Sequence, residues 1–192
     1  MSVPIRMPRP KSFTIGEYLT IERKAATKSE FHKGQILAMA GGMPNHNSTS
    51  SNINGALWSQ LRARKCRLFT GDQRVLVAEG EASYYPDVSV TCGEIKYQDR
   101  HRDVITNPAL VVEVLSRSTS RYDRIVKLPL YKRTSPIRDI LFVTQDRPRV
   151  EHFTRVMEDW KATEYVKLTD VIDLPNLRCI LAIADVYANI EF

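Results

Sequence analysis

Glu113 is the first residue whose surroundings point to chemistry, because it lies within the apolar run 110–115. The run is bounded by Asn107-Pro108 and by Ser116, which is typical of a central strand covered on both faces. A carboxylate buried there must be protonated, paired with a cation or bound to a metal, since an unpaired buried charge is very costly. Two alternatives stay open: an exposed strand end, and pairing with a structural arginine.

Asp87 is the second candidate. It follows Pro86 and precedes Val88, so it stands at or near the start of another strand. An aspartate after proline is commonly only a turn residue. On adjacent strands, however, Asp87 and Glu113 can hold Mg²⁺, which takes one or two protein carboxylates and leaves positions for water and phosphate oxygens. The pair therefore predicts a magnesium-type site.

The residues around this pair have the order and spacing of a known family. They are Tyr85-Pro86-Asp87-Val88, Asn107-Pro108, Val112-Glu113-Val114-Leu115-Ser116, Thr119, Asp123, Lys127 and Tyr131, with Glu30, Gly34 and His46 nearer the N-terminus. This set resembles the Uma-type putative restriction endonuclease family, which belongs to the PD-(D/E)XK nuclease superfamily. The resemblance spans most of residues 14–186.

The resemblance implies a Mg²⁺-dependent endonuclease that hydrolyses phosphodiester bonds, with DNA as the expected substrate and Mn²⁺ as a substitute metal. It makes Asp87 the PD aspartate and Glu113 the first residue of the (D/E)XK element. The Val114 backbone carbonyl would be a further metal ligand, and Glu30 would complete the metal shell from outside the core strands. A homodimer is expected, because paired cuts in a duplex need two sites.

The third position of the (D/E)XK element departs from the superfamily pattern. Leu115 stands where a lysine would orient or activate water, and it points to the same side of the strand as Glu113. The resemblance suggests that Lys127, on the following helix, supplies the missing cation. The alternative is that Lys127 forms a surface pair with Asp123, four residues earlier. Pro129 is expected to kink this helix and affects where the lysine points.

Three further residues are candidates for contacts in the cleft. His46, in the first turn of a helix, is a candidate for binding phosphate, although a histidine at a helix start is often merely solvated. Gln73 and Tyr131 are candidates for lining the cleft. For Glu30, the alternative to metal binding is an ordinary surface charge on an edge strand.

The predicted elements place these residues around a sheet. A capping box of Thr14 with Glu17 predicts a helix over 15–26, and two strands follow around Lys33-Gly34. Asn45 is expected to cap a second helix, and residues 120–133 form a third. Further strands are predicted over 75–77, 84–90, 110–115, 140–144, 149–154 and 164–167, with a closing helix over 183–190. The fold is predicted to be α+β, with a restriction-endonuclease-like core, one mixed central β-sheet flanked by helices, and an added C-terminal β-meander.

Composition agrees with a globular protein. The chain has 192 residues, of which 43% are hydrophobic and 26% charged, so we expect one domain over 12–192 after a flexible, basic arm over 1–11. Nothing approaches the roughly 18 apolar residues of a membrane span, so no membrane contact is expected. The formal net charge of +6 favours polyanions such as nucleic acid.

The cysteines and the N-terminus indicate a location. Cys66, Cys92 and Cys179 are widely separated and contain no CxxC pair, so neither a zinc site nor a disulfide framework is expected. A reducing compartment fits this pattern, and no apolar signal segment is evident at the N-terminus. The expected location is therefore cytoplasmic.

Two rival functions remain open. The chain is alternatively a catalytically impaired nucleic-acid-binding module on the nuclease fold, because Leu115 replaces the usual lysine. It is otherwise a structural or interaction protein in which Glu113 pairs with an arginine. If it is a nuclease, several basic residues are candidates for holding the phosphate backbone: Arg62, Arg64, Lys65, Arg117, Arg121 and Arg124.

Overall fold

The computed structural model of the protein describes residues 11–39 and 41–192. In chain order its strands are β1 (Ser29–His32), β2 (Gln35–Ala38), β3 (Cys66–Thr70), β4 (Arg74–Val77), β5 (Ala82–Tyr84), β6 (Val88–Cys92), β7 (Val104–Ile105), β8 (Leu110–Leu115), β9 (Asp139–Thr144), β10 (Val150–Val156), β11 (Asp159–Tyr165), β12 (Val171–Leu174) and β13 (Cys179–Ala182). Its α-helices are α1 (Ile15–Glu22), α2 (Pro44–Leu61), α3 (Ser120–Tyr122), α4 (Leu128–Arg133) and α5 (Ile183–Val186). The predicted α+β class is confirmed.

The strand that carries Glu113 lies inside the largest sheet. Six strands form this sheet in the order β11-β10-β9-β8-β6-β3, with β8 parallel to β9 and antiparallel to β6. β10 and β11 continue it as the predicted C-terminal antiparallel meander. A second sheet has the order β2-β1-β5-β4-β7, and β12 pairs with β13 as a separate hairpin.

The predicted central mixed sheet is present, but it does not contain all the strands. One reason is that the predicted strand 84–90 is interrupted. β5 ends at Tyr84 and pairs in the second sheet, whereas β6 begins at Val88 in the first. Pro86 lies between them, and proline has no N–H to give to a strand ladder. The chain therefore changes sheets directly before β6, and Asp87 is placed at this crossing.

β8 separates two apolar clusters. Val112 and Val114 pack in a cluster that includes residues of α2 and α5, and Val111 and Leu115 pack in a second cluster that includes residues of α4. Because strand side chains alternate between faces, Glu113 points to the side of Val111 and Leu115. The sheet thus directs the buried carboxylate toward the segment that follows β8.

That segment is the predicted helix over 120–133, which is present but irregular. A π-helical turn, Asp123–Lys127, joins α3 to α4, and the N–H of Leu128 donates to the carbonyl of Asp123. Pro129 follows at the start of α4. A proline lacks the N–H of a regular helical bond, and its ring clashes with the carbonyl four residues earlier. The wider turn accommodates Pro129, so the predicted kink takes the form of a π-helical turn.

Two predicted helix ends differ from the structure. α1 ends at Glu22 instead of residue 26, because the Glu22 carboxylate turns to accept hydrogen bonds from Ser29 N and Oγ at the start of β1. α5 ends at Val186 instead of residue 190. Asn189 has φ of 58°, a left-handed conformation that a right-handed helix cannot contain.

The start of α2 also differs. Met43 is its N-cap and Pro44 its first residue, whereas Asn45 had been predicted as the cap. Proline fits the first helical position because the N–H it lacks would have no helical partner there. The Asn45 amide instead donates to the Glu191 carbonyl at 2.9 Å, which ties α2 to the C-terminus.

The expectation that the cysteines form no disulfide framework was wrong for two of them. Cys66 and Cys92 are directly opposite each other in the β3–β6 pair and form a disulfide, and Cys179 is free and buried. Their separation of 26 residues gave no sign of this, because the pairing depends on the register of an edge strand. The described helices are all too short or too polar to cross a lipid bilayer. The predicted basic arm lies outside the described residues except for Lys11.

Candidate active site

Glu113 belongs to a buried cluster of three carboxylates and one lysine. Lys127 Nζ lies 2.8 Å from Glu30 Oε1, 3.1 Å from Glu113 Oε1 and 3.5 Å from Asp123 Oδ1. None of the four side chains is more than 8% exposed. Glu30 lies in β1, Glu113 in β8, and the other two in the π-helical turn. The surface alternative for Lys127 is therefore wrong, because its pair with Asp123 is buried.

Neighbouring groups hold the cluster in place. Tyr131 donates its hydroxyl to Glu113 Oε1 at 2.5 Å, and the Tyr85 backbone N–H donates to Glu30 Oε1 at 3.3 Å. The Lys127 ammonium also lies 5.1 Å from the centroid of the Tyr84 ring, within the range of a cation–π contact. Tyr131 is fully buried, so it contacts Glu113 from inside the protein and does not line an open cleft.

Asp87 lies directly before β6, the neighbour of β8. Its Oδ2 accepts the Val114 backbone N–H at 2.7 Å and lies 3.2 Å from His46 Nε2. Asp87, directly before β6, and Glu113, in β8, thus lie at neighbouring strands, as predicted. His46 contacts Asp87 directly, and the role of the Val114 carbonyl stays a prediction.

Burial and charge act in opposite directions on these groups. Burial raises the pKa of Glu113 well above its usual value, although the charge of Lys127 opposes the shift. Burial lowers the pKa of Lys127, but Glu113, Glu30 and Asp123 outweigh it and raise that pKa well above its usual value. The hydrogen bond to Asp87 raises the pKa of His46. Lys127 therefore stays an ammonium that shares its charge among three acids.

The carboxylates keep oxygen atoms free for a further ligand. Asp87 uses Oδ2 for its protein contacts, and Glu113 and Glu30 each use Oε1. In the described part of the chain no protein donor reaches Asp87 Oδ1, Glu113 Oε2 or Glu30 Oε2. Such oxygens are the hard ligands that Mg²⁺ prefers.

Residues 11–39 and 41–192 contain no group of three or more acidic, histidine or cysteine side chains arranged to hold a metal by themselves. Mg²⁺ does not require such a group, because it commonly keeps several waters and binds through one or two carboxylates plus phosphate oxygens. The donor set of Asp87 and Glu113 is therefore compatible with this metal.

A groove of about 1000 Å³ opens beside Asp87. One wall is a face of α2 whose residues recur with the four-residue spacing of a helix: His46, Asn47, Ser50, Ser51, Asn54, Gly55 and Trp58. Lys28 and Asp72 lie among its other lining residues. Trp58 is 52% exposed, so an indole face is available at the far end of this wall. Gln73 does not line the groove, since its amide donates to the carbonyls of Arg74 and Asp103.

The basic residues predicted to hold phosphate differ in their availability. Arg64 donates to the carbonyls of Leu177 and Arg178, and Arg124 pairs with Glu151. The Arg62 guanidinium lies 5.3 Å from the centroid of the Trp58 ring. Arg62 therefore combines a positive charge with the aromatic end of the groove.

Asp123 is the member of the cluster that sequence reasoning did not place in the site. Its position one helical turn before Lys127 was visible, but its burial was not, because burial depends on how the π-helical turn packs onto β8 and β1. The available signal was its place in the ordered set from Thr119 to Tyr131, which also carries Lys127.

Two curated proteins resemble this chain in sequence over most of its length. The protein sll1609 of Synechocystis sp., described as uncharacterized, is 37% identical over 155 residues, covering 80% of this chain and 88% of its own. A second uncharacterized protein of the same organism, slr1290, is 32% identical over 178 residues and covers 92% of each chain.

The fold has a counterpart among solved structures. A crystal structure of a putative nuclease belonging to DUF820 from Anabaena variabilis aligns with a TM-score of 0.75 at 18% identity, covering 92% of this chain and 98% of that one. At this identity the likeness shows the fold. The family model Uma2, described as a putative restriction endonuclease, matches residues 15–183, which include the acidic cluster and the groove. The chain therefore belongs to the Uma2 family of putative restriction endonucleases.

Proposed function

We propose that the protein is a Mg²⁺-dependent endonuclease that hydrolyses phosphodiester bonds in DNA. The observation that carries this proposal is the position of the Lys127 ammonium, 3.1 Å from Glu113 Oε1. Leu115 occupies the strand position of the usual lysine, and a lysine from the next segment reaches the same carboxylate. The chain thus keeps the acid pair and a cation together despite the changed sequence position.

The residues divide the work of the reaction. Asp87 and Glu113 would hold the metal, with Glu30 and the Val114 carbonyl as the further predicted ligands. The bound metal supplies an activated water and neutralises charge on the phosphate. Lys127 would stabilise negative charge as it develops on the phosphate or orient the water. Tyr131 and the Val114 N–H hold Glu113 and Asp87 in place, so these two carboxylates do not need to reorganise during the reaction.

The groove supports nucleic acid as the substrate. Its α2 wall offers amides, hydroxyls and a small residue that let a sugar-phosphate chain approach closely, and it leads from His46 beside Asp87 to Trp58. The formal net charge of +6 favours a polyanion. A homodimer, which paired cuts would require, and a cytoplasmic location remain part of this proposal.

Purified protein tests the activity directly. With Mg²⁺ or Mn²⁺ we expect cleavage of DNA, and we expect Glu113→Gln to lower the rate by about 10²-fold or more. Glu164→Gln is the matched control, because it removes a β11 carboxylate that is paired with Arg149, directly before β10, and is not part of the cluster. Metal binding without cleavage would support the impaired binding module instead. No binding of metal at Asp87 and Glu113 would contradict both readings.

A further inference from the structure

The Lys127 ammonium has as many N–H groups as it has carboxylate neighbours. An ammonium has three N–H groups, and the three acids Glu30, Glu113 and Asp123 lie within 3.5 Å of this nitrogen. In the described part of the chain these acids form no ion pair with any other cation. One positive charge therefore serves three buried carboxylates, and this leaves a formal deficit of two charges when all three are ionised.

The three acids are not equivalent. Glu30 and Glu113 come from two different strands and keep Oε2 free, whereas Asp123 is on the same helical turn as Lys127, four residues earlier. An (i, i+4) partner lies on the same face of the helix, so it is within reach of the lysine when the ammonium leaves the other two acids. Asp123 can therefore keep Lys127 close after the contacts with Glu113 and Glu30 are lost.

We propose that Lys127 is the resident cation of this cluster in the metal-free protein, that a divalent cation displaces it from Glu113 and Glu30, and that Asp123 retains it nearby. Asp123 is then a positioning residue. The inference rests on the proposed function insofar as the divalent cation binds at Asp87 and Glu113. It adds that the same lysine competes with metal for the carboxylate that both need.

Electrostatics explains why the exchange is needed. The ammonium at 3.1 Å from Glu113 Oε1 would lie very close to a doubly charged ion bound to the same carboxylate, and like charges at such separations repel strongly in a buried site. Removing the lysine from the cluster entirely would leave the buried Asp123 without its cation, which is also costly. A retained but displaced lysine avoids both costs and stays close enough to act on the phosphate.

The first experiment measures Mn²⁺ binding by calorimetry in the absence of nucleic acid. We expect Lys127→Met to bind Mn²⁺ about tenfold more tightly than the wild type, because the competing ammonium is gone. Lys132→Met is the matched control: Lys132 lies in α4, half-buried, with its ammonium 4.6 Å from the Phe153 ring and outside the cluster. Its Mn²⁺ affinity should equal that of the wild type. Equal or weaker binding by Lys127→Met would overturn the proposal.

The role of Asp123 has its own readout. We expect Asp123→Asn to weaken Mn²⁺ binding about tenfold, because the displaced ammonium then has no acceptor. In the Lys127→Met background the same substitution should have a clearly smaller effect, since there is no ammonium to retain. Equal effects in the two backgrounds would show that Asp123 acts on the metal directly, and this part of the proposal would fall.

A measurement on the wild type covers the case in which Lys127→Met does not fold. Nitrogen-15 NMR should show a slowly exchanging Lys127 ammonium in the metal-free protein. This signal should change on Mg²⁺ titration with the Kd that calorimetry gives for Mg²⁺. An unchanged signal at saturating Mg²⁺, or no binding of either metal, would overturn the exchange. If the wild type cleaves DNA but Lys127→Met binds Mn²⁺ with unaltered affinity, the proposed nuclease function stands and the cation exchange is refuted. If the exchange is observed but the wild type does not cleave DNA, the exchange stands and the nuclease function is refuted.

Discussion

The hydrogen bond from Tyr131 fixes the orientation of the buried Glu113 carboxylate. The Tyr131 hydroxyl reaches Glu113 Oε1, the same oxygen that Lys127 contacts, so two donors hold one atom and leave Oε2 free. Burial, followed by the charge of Glu113, raises the pKa of Tyr131 well above its usual value. The phenol therefore stays a donor throughout the usable pH range.

Replacing this donor should loosen the carboxylate. We expect Tyr131→Phe to lower the free energy of unfolding by about 1–3 kcal/mol, as for loss of a hydrogen bond to a charged group, and to weaken Mn²⁺ binding. Urea denaturation and calorimetry measure the two effects. Tyr122→Phe is the matched control, because the Tyr122 hydroxyl is also buried but donates to none of the carboxylates that contact Lys127. If both variants lose the same stability, the Tyr131 contact contributes nothing specific.

Individual site residues were predictable to the extent that their surroundings were unusual. Glu113 stood out because a charge interrupts an apolar strand, and the family pattern then identified Asp87, Glu30 and Lys127. Asp123 was interpreted as a surface partner, because spacing alone cannot tell a buried pair from an exposed one. Gln73 has spacing compatible with the cleft, yet its amide is engaged by backbone carbonyls, which only the fold reveals.

At the scale of elements, the π-helical turn decides where Lys127 points. An extra residue in one turn rotates the following side chains relative to a regular helix, and such turns are frequent at functional sites. Pro129 directly follows the turn and Leu128. Pro129 therefore favours the π-helical turn, and the turn sets the direction of the Lys127 side chain.

Removing the proline tests that link. We expect Pro129→Ala to allow a regular helix that moves Lys127 out of place, so that DNA cleavage drops by about 10²-fold. The gain in helix propensity should be offset by the loss of buried ion pairs to Lys127. Cleavage rate and thermal unfolding are the measurements, with Pro136→Ala, in the turn after α4, as the control. If Pro129→Ala cleaves as fast as the wild type, packing rather than the proline sets the π-helical turn.

Helix α2 makes a separate prediction about substrate binding. Trp58 lies twelve residues after His46, roughly 18 Å along the helix at 1.5 Å per residue, so it would contact nucleotides some distance from the scissile bond. We expect Trp58→Ala to weaken DNA binding about tenfold through lost stacking, whereas Trp58→Phe retains most of it. Neither variant should change Mn²⁺ binding. Equal DNA affinity in Trp58→Ala, measured by fluorescence anisotropy, would remove Trp58 from the interface.

Elements were predicted more reliably than their ends. The capping box correctly placed the start of α1, and the apolar run correctly placed β8, because both signals are local. The end of α1 depended on a hydrogen bond between Glu22 and the next strand, and the end of α5 on the left-handed Asn189. The assignment of β5 and β6 to different sheets depended on partners that no local pattern specifies.

At the scale of the whole molecule, the disulfide requires oxidised cysteines, whereas the predicted cytoplasmic location favours reduced ones. Cys66 and Cys92 join edge strand β3 to β6, the strand that begins beside Asp87. Cytosolic glutathione and thioredoxin keep thiols reduced, so a cytoplasmic protein would carry these two residues as thiols. The edge of the sheet nearest the groove would then be held by the strand pairing alone.

We therefore expect reduction of this bond to lower the free energy of unfolding while DNA cleavage changes little. Closing a loop of 26 residues restricts the unfolded chain and should stabilise the protein by about 2–4 kcal/mol. We expect dithiothreitol to lower the free energy of unfolding of the wild type by that amount, and to have no effect on the Cys66→Ser, Cys92→Ser double variant. Cys179→Ala is the control that should keep the dependence on reductant, because Cys179 is outside the bond.

Wild-type stability that does not depend on reductant would contradict the disulfide. Cleavage that survives reduction would show that the strand pairing alone holds Asp87 beside Glu113.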